Sequence, residues 1–195
     1  MRRAITRVKL PSCLCNSLPC GVASRLATAY GGVIPTHPPE LGLFRMKIAI
    51  ASDHAAFALK AELAAWLTEA GHEVTDLGPD SDASVDYPDF GYALGQHVAA
   101  GKAERGVALC GSGIGISIAV NRIAGARCAL VSEPLSAKLA REHNDANVIA
   151  MGARLTGSDM AKACLEAFLA TPFAGERHVR RVDKLSNPPF SREEA

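Results

Sequence analysis

From Met46 onward the sequence alternates short apolar runs with longer segments of helical period, five times over. Few folds accept that rhythm. Apolar runs bounded by turn residues read as strands buried on both faces, and a helix between successive strands is the connection that parallel pairing needs. The runs are Lys47–Ser52, Glu73–Leu77, Gly106–Cys110, Ala126–Val131 and Asn147–Met151. Helices are predicted over about Ala55–Ala70, Pro88–Ala100 and Ile116–Ile123, then from Ser132 to near Asn144, and again after Thr156. The expected class is α/β: a three-layer αβα, Rossmann-like (flavodoxin-like) fold on a five-stranded parallel sheet. Right-handed crossovers leave few strand orders, and 2-1-3-4-5 is the one expected here. Its switch point lies between strands 1 and 3, where ligands bind at the carboxyl ends.

Local signals support the elements. In the first helix Leu59, Leu63, Trp66, Leu67 and Ala70 share one face, with Lys60, Glu62 and Glu69 opposite. Gly71 stops it as a left-handed cap would. Pro134 suits the first turn of the fourth helix. Thr156 and Asp159 resemble a capping box for the fifth, whose apolar face is Ala161, Cys164, Leu165 and Phe168. A charged tail follows from Thr171.

Residues 1–45 have a different character. They hold six basic residues and one acid, and Gly31-Gly32, Pro35 and Pro38-Pro39 interrupt any regular element. Three readings compete: an Arg-rich transit peptide, a disordered extension, or upstream sequence with Met46 the true start. The last is favoured, because Met46-Lys47-Ile48-Ala49-Ile50 begins a strand with no slack before it. The expected organisation is therefore an extension or mis-assigned start over 1–45 and one domain over 46–195. No clean apolar stretch follows the basic start, and no run approaches the roughly 18 apolar residues of a membrane span.

Residues 46–195 carry 15 basic and 19 acidic side chains, net −4, which argues against nucleic acid as a partner. Of the six cysteines, Cys13, Cys15 and Cys20 precede the domain and Cys110, Cys128 and Cys164 are scattered through it. Neither a disulfide framework nor metal-ligand spacing is present, so reduced thiols in a cytoplasmic protein without a metal site are expected.

The carboxyl ends of the expected strands carry the chemistry. Strand 1 ends in Ser52-Asp53-His54, strand 3 in Cys110-Gly111-Ser112-Gly113-Ile114-Gly115, and strand 5 leads into Gly152-Ala153-Arg154. The fourth helix ends in His143-Asn144-Asp145, and the expectation is that these groups gather at one edge. Three glycines in five residues let backbone approach a ligand, and successive N–H groups at a helix start can cradle an anion. The alternative is a tight strand-to-helix turn. The spacing is Gly-x-Gly-x-Gly and not the dinucleotide pattern, although Glu133 stands about twenty residues on, as a ribose-binding acid would. Cys110 is either a buried small residue or a base whose thiolate the same positive field favours. Cys128 and Cys164 read as core. Asp53 could merely cap a helix, His54 and His143 could be surface residues, and Arg177, Arg180 and Arg181 could be a solvated face. Taken together they fit a small anionic substrate that needs proton transfers.

These residues resemble type B ribose-5-phosphate isomerase. The resemblance rests on Ser52-Asp53-His54-Ala55, Asp86-Tyr87-Pro88, Cys110 through Ser117, Asn121, Arg141 through Val148, Gly152-Ala153-Arg154 and Gly175 through Val182, in order over about 46–185. It implies an aldose–ketose isomerase of the non-oxidative pentose phosphate pathway, with a sugar phosphate substrate and no metal or organic cofactor. It implies a homodimer with sites at the subunit interface, or such dimers paired into tetramers. Cys110 matches the proton-abstracting base and His143 the acid that opens the sugar ring. Gly111, Ser112, Gly113, Ile114 and Gly115 match the loop that holds the enediolate, with Ser112 where many members have Thr. Asp53, His54 and Asn144 match substrate-binding positions, and Arg154, Arg177 and Arg181 match the rest, the arginines suiting the phosphate. Galactose-6-phosphate and allose-6-phosphate isomerases share the pattern, so a 6-phosphohexose is the alternative substrate. A nucleotide-dependent oxidoreductase would need a substrate domain that about 150 residues do not hold. A flavodoxin-like binding module would not need Cys110 and His143 together.

Overall fold

The computed structural model describes residues 45–189, so the expectation for residues 1–44, with Cys13, Cys15 and Cys20, lies outside the described residues. Five strands form one parallel sheet: β1 (Lys47–Ser52), β2 (Glu73–Asp76), β3 (Arg105–Cys110), β4 (Cys128–Leu130) and β5 (Val148–Gly152). The helices are α1 (Phe57–Glu69), α2 (Tyr87–Ala99), α3 (Ile114–Val120), α4 (Pro134–Asn144), α5 (Ser158–Ala170) and α6 (Val179–Ser186). The α/β class and the alternation are as expected.

The strand order is 2-1-3-5-4 and not 2-1-3-4-5. The reason is burial. β5 is an unbroken apolar run with every residue buried, as an interior strand requires, while β4 has three residues, none of them fully buried. β5 therefore takes the place beside β3, with Cys110 opposite Gly152, and β4 becomes the edge.

Handedness then assigns the helices to faces. The connections β1 to β2 and β4 to β5 run one way across the sheet. Their helices α1 and α4, with α5, cover the face carrying Ile48, Ile50, Leu109 and Ile149, and Leu63, Leu67, Ala137, Leu165 and Phe168 pack there. The connections β2 to β3 and β3 to β4 run the other way, and α2 and α3 cover Ala49, Ala51, Ala108 and Ala150 with Leu94, Val98, Ile116 and Val120. Neighbouring strand residues alternate between the two cores, as the pleat demands.

Several local expectations are realised. Gly71 follows α1 at φ 91, Pro134 opens α4, and Ala161, Cys164, Leu165 and Phe168 of α5 are all fully buried. Others are corrected. The capping box does not form: Gly157 is the N-cap of α5 and makes no side-chain cap. The tail is not merely charged, since it builds a 3₁₀ turn (Glu176–His178) and α6, which buries Val182. Among the described residues no helix is long and apolar enough to cross a membrane.

Lys60 departs most from its expected place on the outer face of α1. It is 2% exposed, and its ammonium donates to Asp76 Oδ1 at 2.7 Å, Asp76 Oδ2 at 2.6 Å and the Pro79 carbonyl at 2.8 Å. The aliphatic stem follows the core while the charge is satisfied at the end of β2, which no helical period reveals. Removing either partner has unequal effects. Asp76→Ala strands a buried cation and is expected to cost about 3 kcal/mol, whereas Lys60→Met leaves only a half-exposed carboxylate and costs about 1 kcal/mol or less. Urea unfolding midpoints for the two variants check the order.

Candidate active site

β3 leaves the sheet toward the α2/α3 face, while its neighbours β1 and β5 lead to α1 and α5 on the other face. A crevice therefore opens on both sides of Cys110, the arrangement in which open α/β sheets bind ligands. A cleft of ≈ 560 Å³ lies there, lined by Asp53, Tyr87, Cys110, Gly111, Ser112, Ile114, Gly115, Ile118, Arg154 and Leu155.

Each wall has a local cause. Asp53 follows β1 and is 7% exposed, and its Oδ1 accepts the Ala56 N–H at 3.1 Å. The cap reading is thus correct for Asp53, and it still faces the cleft. His54 is held from outside, with Nδ1 3.3 Å from both the N–H and the carbonyl of Val85, and it is not a cleft-lining residue. Cys110 is 4% exposed, and the Gly113 N–H donates to its Sγ at 3.0 Å. The Ile114 N–H is taken by Ser112 Oγ at 3.3 Å. Two of the loop's donors are thus used internally, while the N–H groups of Gly111, Ser112 and Gly115 have no partner among the described residues.

The loop geometry depends on glycine at two touching positions. Gly113 has φ 78, and a Cβ on it would lie 2.8 Å from the Met151 carbonyl carbon. A Cβ on Gly152 would lie 2.5 Å from the carbonyl carbon of Ser112. Backbone meets backbone here because β5 is the neighbour of β3, and the same pairing brings Arg154 over Gly111, with its N–H donating to the Gly111 carbonyl at 3.0 Å. The corrected strand order is what puts Arg154 beside Cys110.

Tyr87 was missed as a site residue. Its ring closes the cleft opposite the loop, and a Cβ on Gly115 would meet Tyr87 Cε2 at 2.5 Å. The available signal was its place in Asp86-Tyr87-Pro88, at the start of α2.

The remaining predicted residues are elsewhere, which corrects the expectation of one shared edge. α4 begins after the carboxyl end of β4 and runs back to the amino end of β5, so His143 and Asn144 sit at the opposite edge of the sheet. Its eleven residues span about 16 Å. Arg177 and Arg181 join His143 there, because the tail is tied to α4 by the Ala174 N–H donating to the Glu142 carbonyl at 3.0 Å. His143 stacks on His178, with ring centroids 4.5 Å apart. Asp145, the left-handed cap of α4, is gripped by Arg127 at 2.7 Å and Arg141 at 2.8 Å. Glu133 caps α4, accepting the N–H groups of Leu135 and Ser136, and the Ser136 hydroxyl that donates to it holds its carboxyl below the usual range. That use accounts for Glu133 without a nucleotide. Cys164 is fully buried, as a core position should be, while Cys128 is half-buried on the edge strand, packed against the core, where desolvation pushes its thiol up.

The model of the ribose/galactose isomerase family matches residues 48–185. The chain belongs to the ribose/galactose isomerase family. Ribose-5-phosphate isomerase B of Escherichia coli is 44% identical over 140 residues, 72% of this chain and 94% of that one. D-erythrulose-4-phosphate isomerase of Pectobacterium atrosepticum is 39% identical over 141 residues, 72% of this chain and 93% of that one. Among solved structures, ribose-5-phosphate isomerase B of Clostridium thermocellum superposes with a TM-score of 0.72 at 45% identity, covering 72% of this chain and 95% of that one.

Proposed function

We propose that this member of the ribose/galactose isomerase family interconverts ribose 5-phosphate and ribulose 5-phosphate, in the non-oxidative pentose phosphate pathway and in the cytoplasm, without a metal or organic cofactor. The observation that carries the reading is Cys110 at the floor of a cleft whose loop offers unpartnered N–H groups beside it. A carbon acid next to a carbonyl is weak, so its base and its oxyanion donors must act together. In this reading His143 protonates the ring oxygen while the anomeric hydroxyl gives up its proton, and the furanose opens to the aldehyde. Cys110 Sγ takes the proton from C2, charge builds on O1, and the N–H groups of the Gly111–Gly115 loop bind it. A proton passes from O2 to O1, and return of the C2 proton at C1 leaves the C2 carbonyl of the ketose. Asp53, His54 and Asn144 bind hydroxyls, and Arg154, Arg177 and Arg181 hold the phosphate, which fixes the register of the sugar.

One chain cannot bring His143 to Cys110, since the length of α4 separates their edges. We therefore read the working form as a homodimer, on its own or paired into a tetramer, in which each cleft receives His143, Asn144, Arg177 and Arg181 from the partner. Exposed apolar side chains around the cleft support this: Ile114 and Ile118, one turn apart on α3, are 51% and 52% exposed, and Leu155 is 72% exposed. We also assign the catalytic domain to 46–195, a reading supported by the span of the family match.

The test is a panel of ribose 5-phosphate, allose 6-phosphate, galactose 6-phosphate and erythrulose 4-phosphate. Ribose 5-phosphate should give the highest kcat/KM, and a higher value for any other sugar would replace it. Loop placement is checked separately. Gly152→Ala drives a Cβ into the backbone of Ser112, so the loop must move. A fall in kcat/KM of about 100-fold is expected by steady-state assay, since displacement near 1 Å at a reacting group has that effect.

A further inference from the structure

His143 and His178 lie face to face, with ring centroids 4.5 Å apart and planes 6° from parallel. The mechanism above uses His143 and gives His178 nothing to do, although His178 is one of few buried polar side chains, at 7% exposed. The backbone that carries its ring is fixed. His178 closes the 3₁₀ turn after Gly175, whose φ of 67 suits glycine, and its N–H donates to the Gly175 carbonyl at 2.9 Å. The turn is tied back to α4 through Ala174 and Glu142.

The tautomer is fixed by chemistry. Arg177 Nε donates to His178 Nε2 at 3.3 Å. A guanidinium has only donors, so Nε2 must accept, and the proton of His178 then sits on Nδ1. Accepting that bond requires a neutral ring. Burial, with His143 and the cations of Arg177 and Arg181 nearby, also pushes the pKa of His178 down, against the single opposing carboxylate of Glu142. A charged His178 would repel a cation in the facing ring, so a neutral His178 suits the stack.

We propose that His178 is a positioning residue for His143: a flat neutral ring that fixes the plane of the His143 imidazole. This rests on the reading of His143 as the ring-opening acid. It gives Arg177 a second duty, since the same side chain that is read as a phosphate ligand keeps His178 uncharged.

Titration of ring-labelled histidines by NMR tests the proposal on the full chain without needing turnover. His178 should keep Nε2 unprotonated, as the acceptor of the Arg177 bond, and should stay neutral to lower pH than an ordinary histidine. His178→Phe keeps a flat neutral face and should retain kcat within about three-fold, with thermal melting used to verify the fold. His178→Ala frees the His143 ring and should lower kcat about ten-fold, with KM within about two-fold. A His178 ring that carries its proton on Nε2, or that is charged as readily as an ordinary histidine, overturns the proposal, as does wild-type kcat in His178→Ala, or a folded His178→Phe as slow as His178→Ala. Wild-type turnover in His143→Ala would instead remove the reading of His143 as the acid, and NMR would still decide the tautomer and charge of the His178 ring.

Discussion

Cys110→Ala is expected to lower kcat by about 10³-fold or more, the upper range for loss of a general base. KM should change far less, because the hydroxyl and phosphate contacts come from other side chains. The setting makes the prediction specific. Sγ lies at the end of the central strand, faces the cleft and accepts the Gly113 N–H at 3.0 Å. Cys110 also belongs to the core beneath α2 and α3, so the substitution costs some stability, about 1 kcal/mol for a lost buried atom of this size. Cys128→Ala controls for that, since it removes a thiol outside the cleft. The decisive measurement is solvent-deuterium exchange at C2 of the sugar phosphate. Exchange at the wild-type rate in Cys110→Ala would pass the role of base to Asp53, the buried carboxylate in the same cleft. A silent Cys110→Ala beside an exchanging His143→Ala, given an open-chain substrate, would separate proton abstraction from ring opening.

The strand and helix alternation was legible because most of the strands are short apolar runs and turn residues bound the first five helices, and both signals are local, whereas β2 has a single apolar residue and α6 was read as a charged tail. Strand order was not. It turns on β5 being apolar throughout and β4 being three residues long, a comparison between distant segments that propensity does not make. Lys60 was misplaced for a related reason: its period is that of an outer face, but Asp76 and Pro79 lie where its ammonium can reach. In the site, the glycine loop, Asp53, Cys110 and Arg154 were readable because each follows a strand, and parallel strands bring their carboxyl ends together. The same reasoning failed for His143 and Asn144. They end a helix, and in a parallel sheet a crossover helix that starts at the carboxyl edge ends at the amino edge. Tyr87 was passed over because a tyrosine at a helix start has no chemical signature until Gly115 is seen against its ring.

That separation of His143 from Cys110 yields the most demanding prediction. If each cleft is completed across a two-fold axis, one site needs Cys110 from one protomer and His143 from its partner. Cys110→Ala and His143→Ala should each be nearly inactive as homodimers. Mixed under conditions that exchange subunits, equal amounts give mixed dimers as half of the population. In each mixed dimer one site carries both substitutions and the other carries neither, so activity should return to about one quarter of the wild-type value in a symmetric isologous pair. Assembly into tetramers leaves the arithmetic unchanged, because the site belongs to one interface. A chain that brought its own His143 to its own Cys110 would show no recovery at any mixing ratio. That result would require α4 and the tail to leave the positions set by the Ala174–Glu142 hydrogen bond and the two arginines on Asp145, and the sheet order described above would then not be that of the working enzyme. The measurement is isomerase activity against mixing ratio. A curve peaking at equal amounts supports the shared site, and a flat line at the level of the inactive parents rejects it.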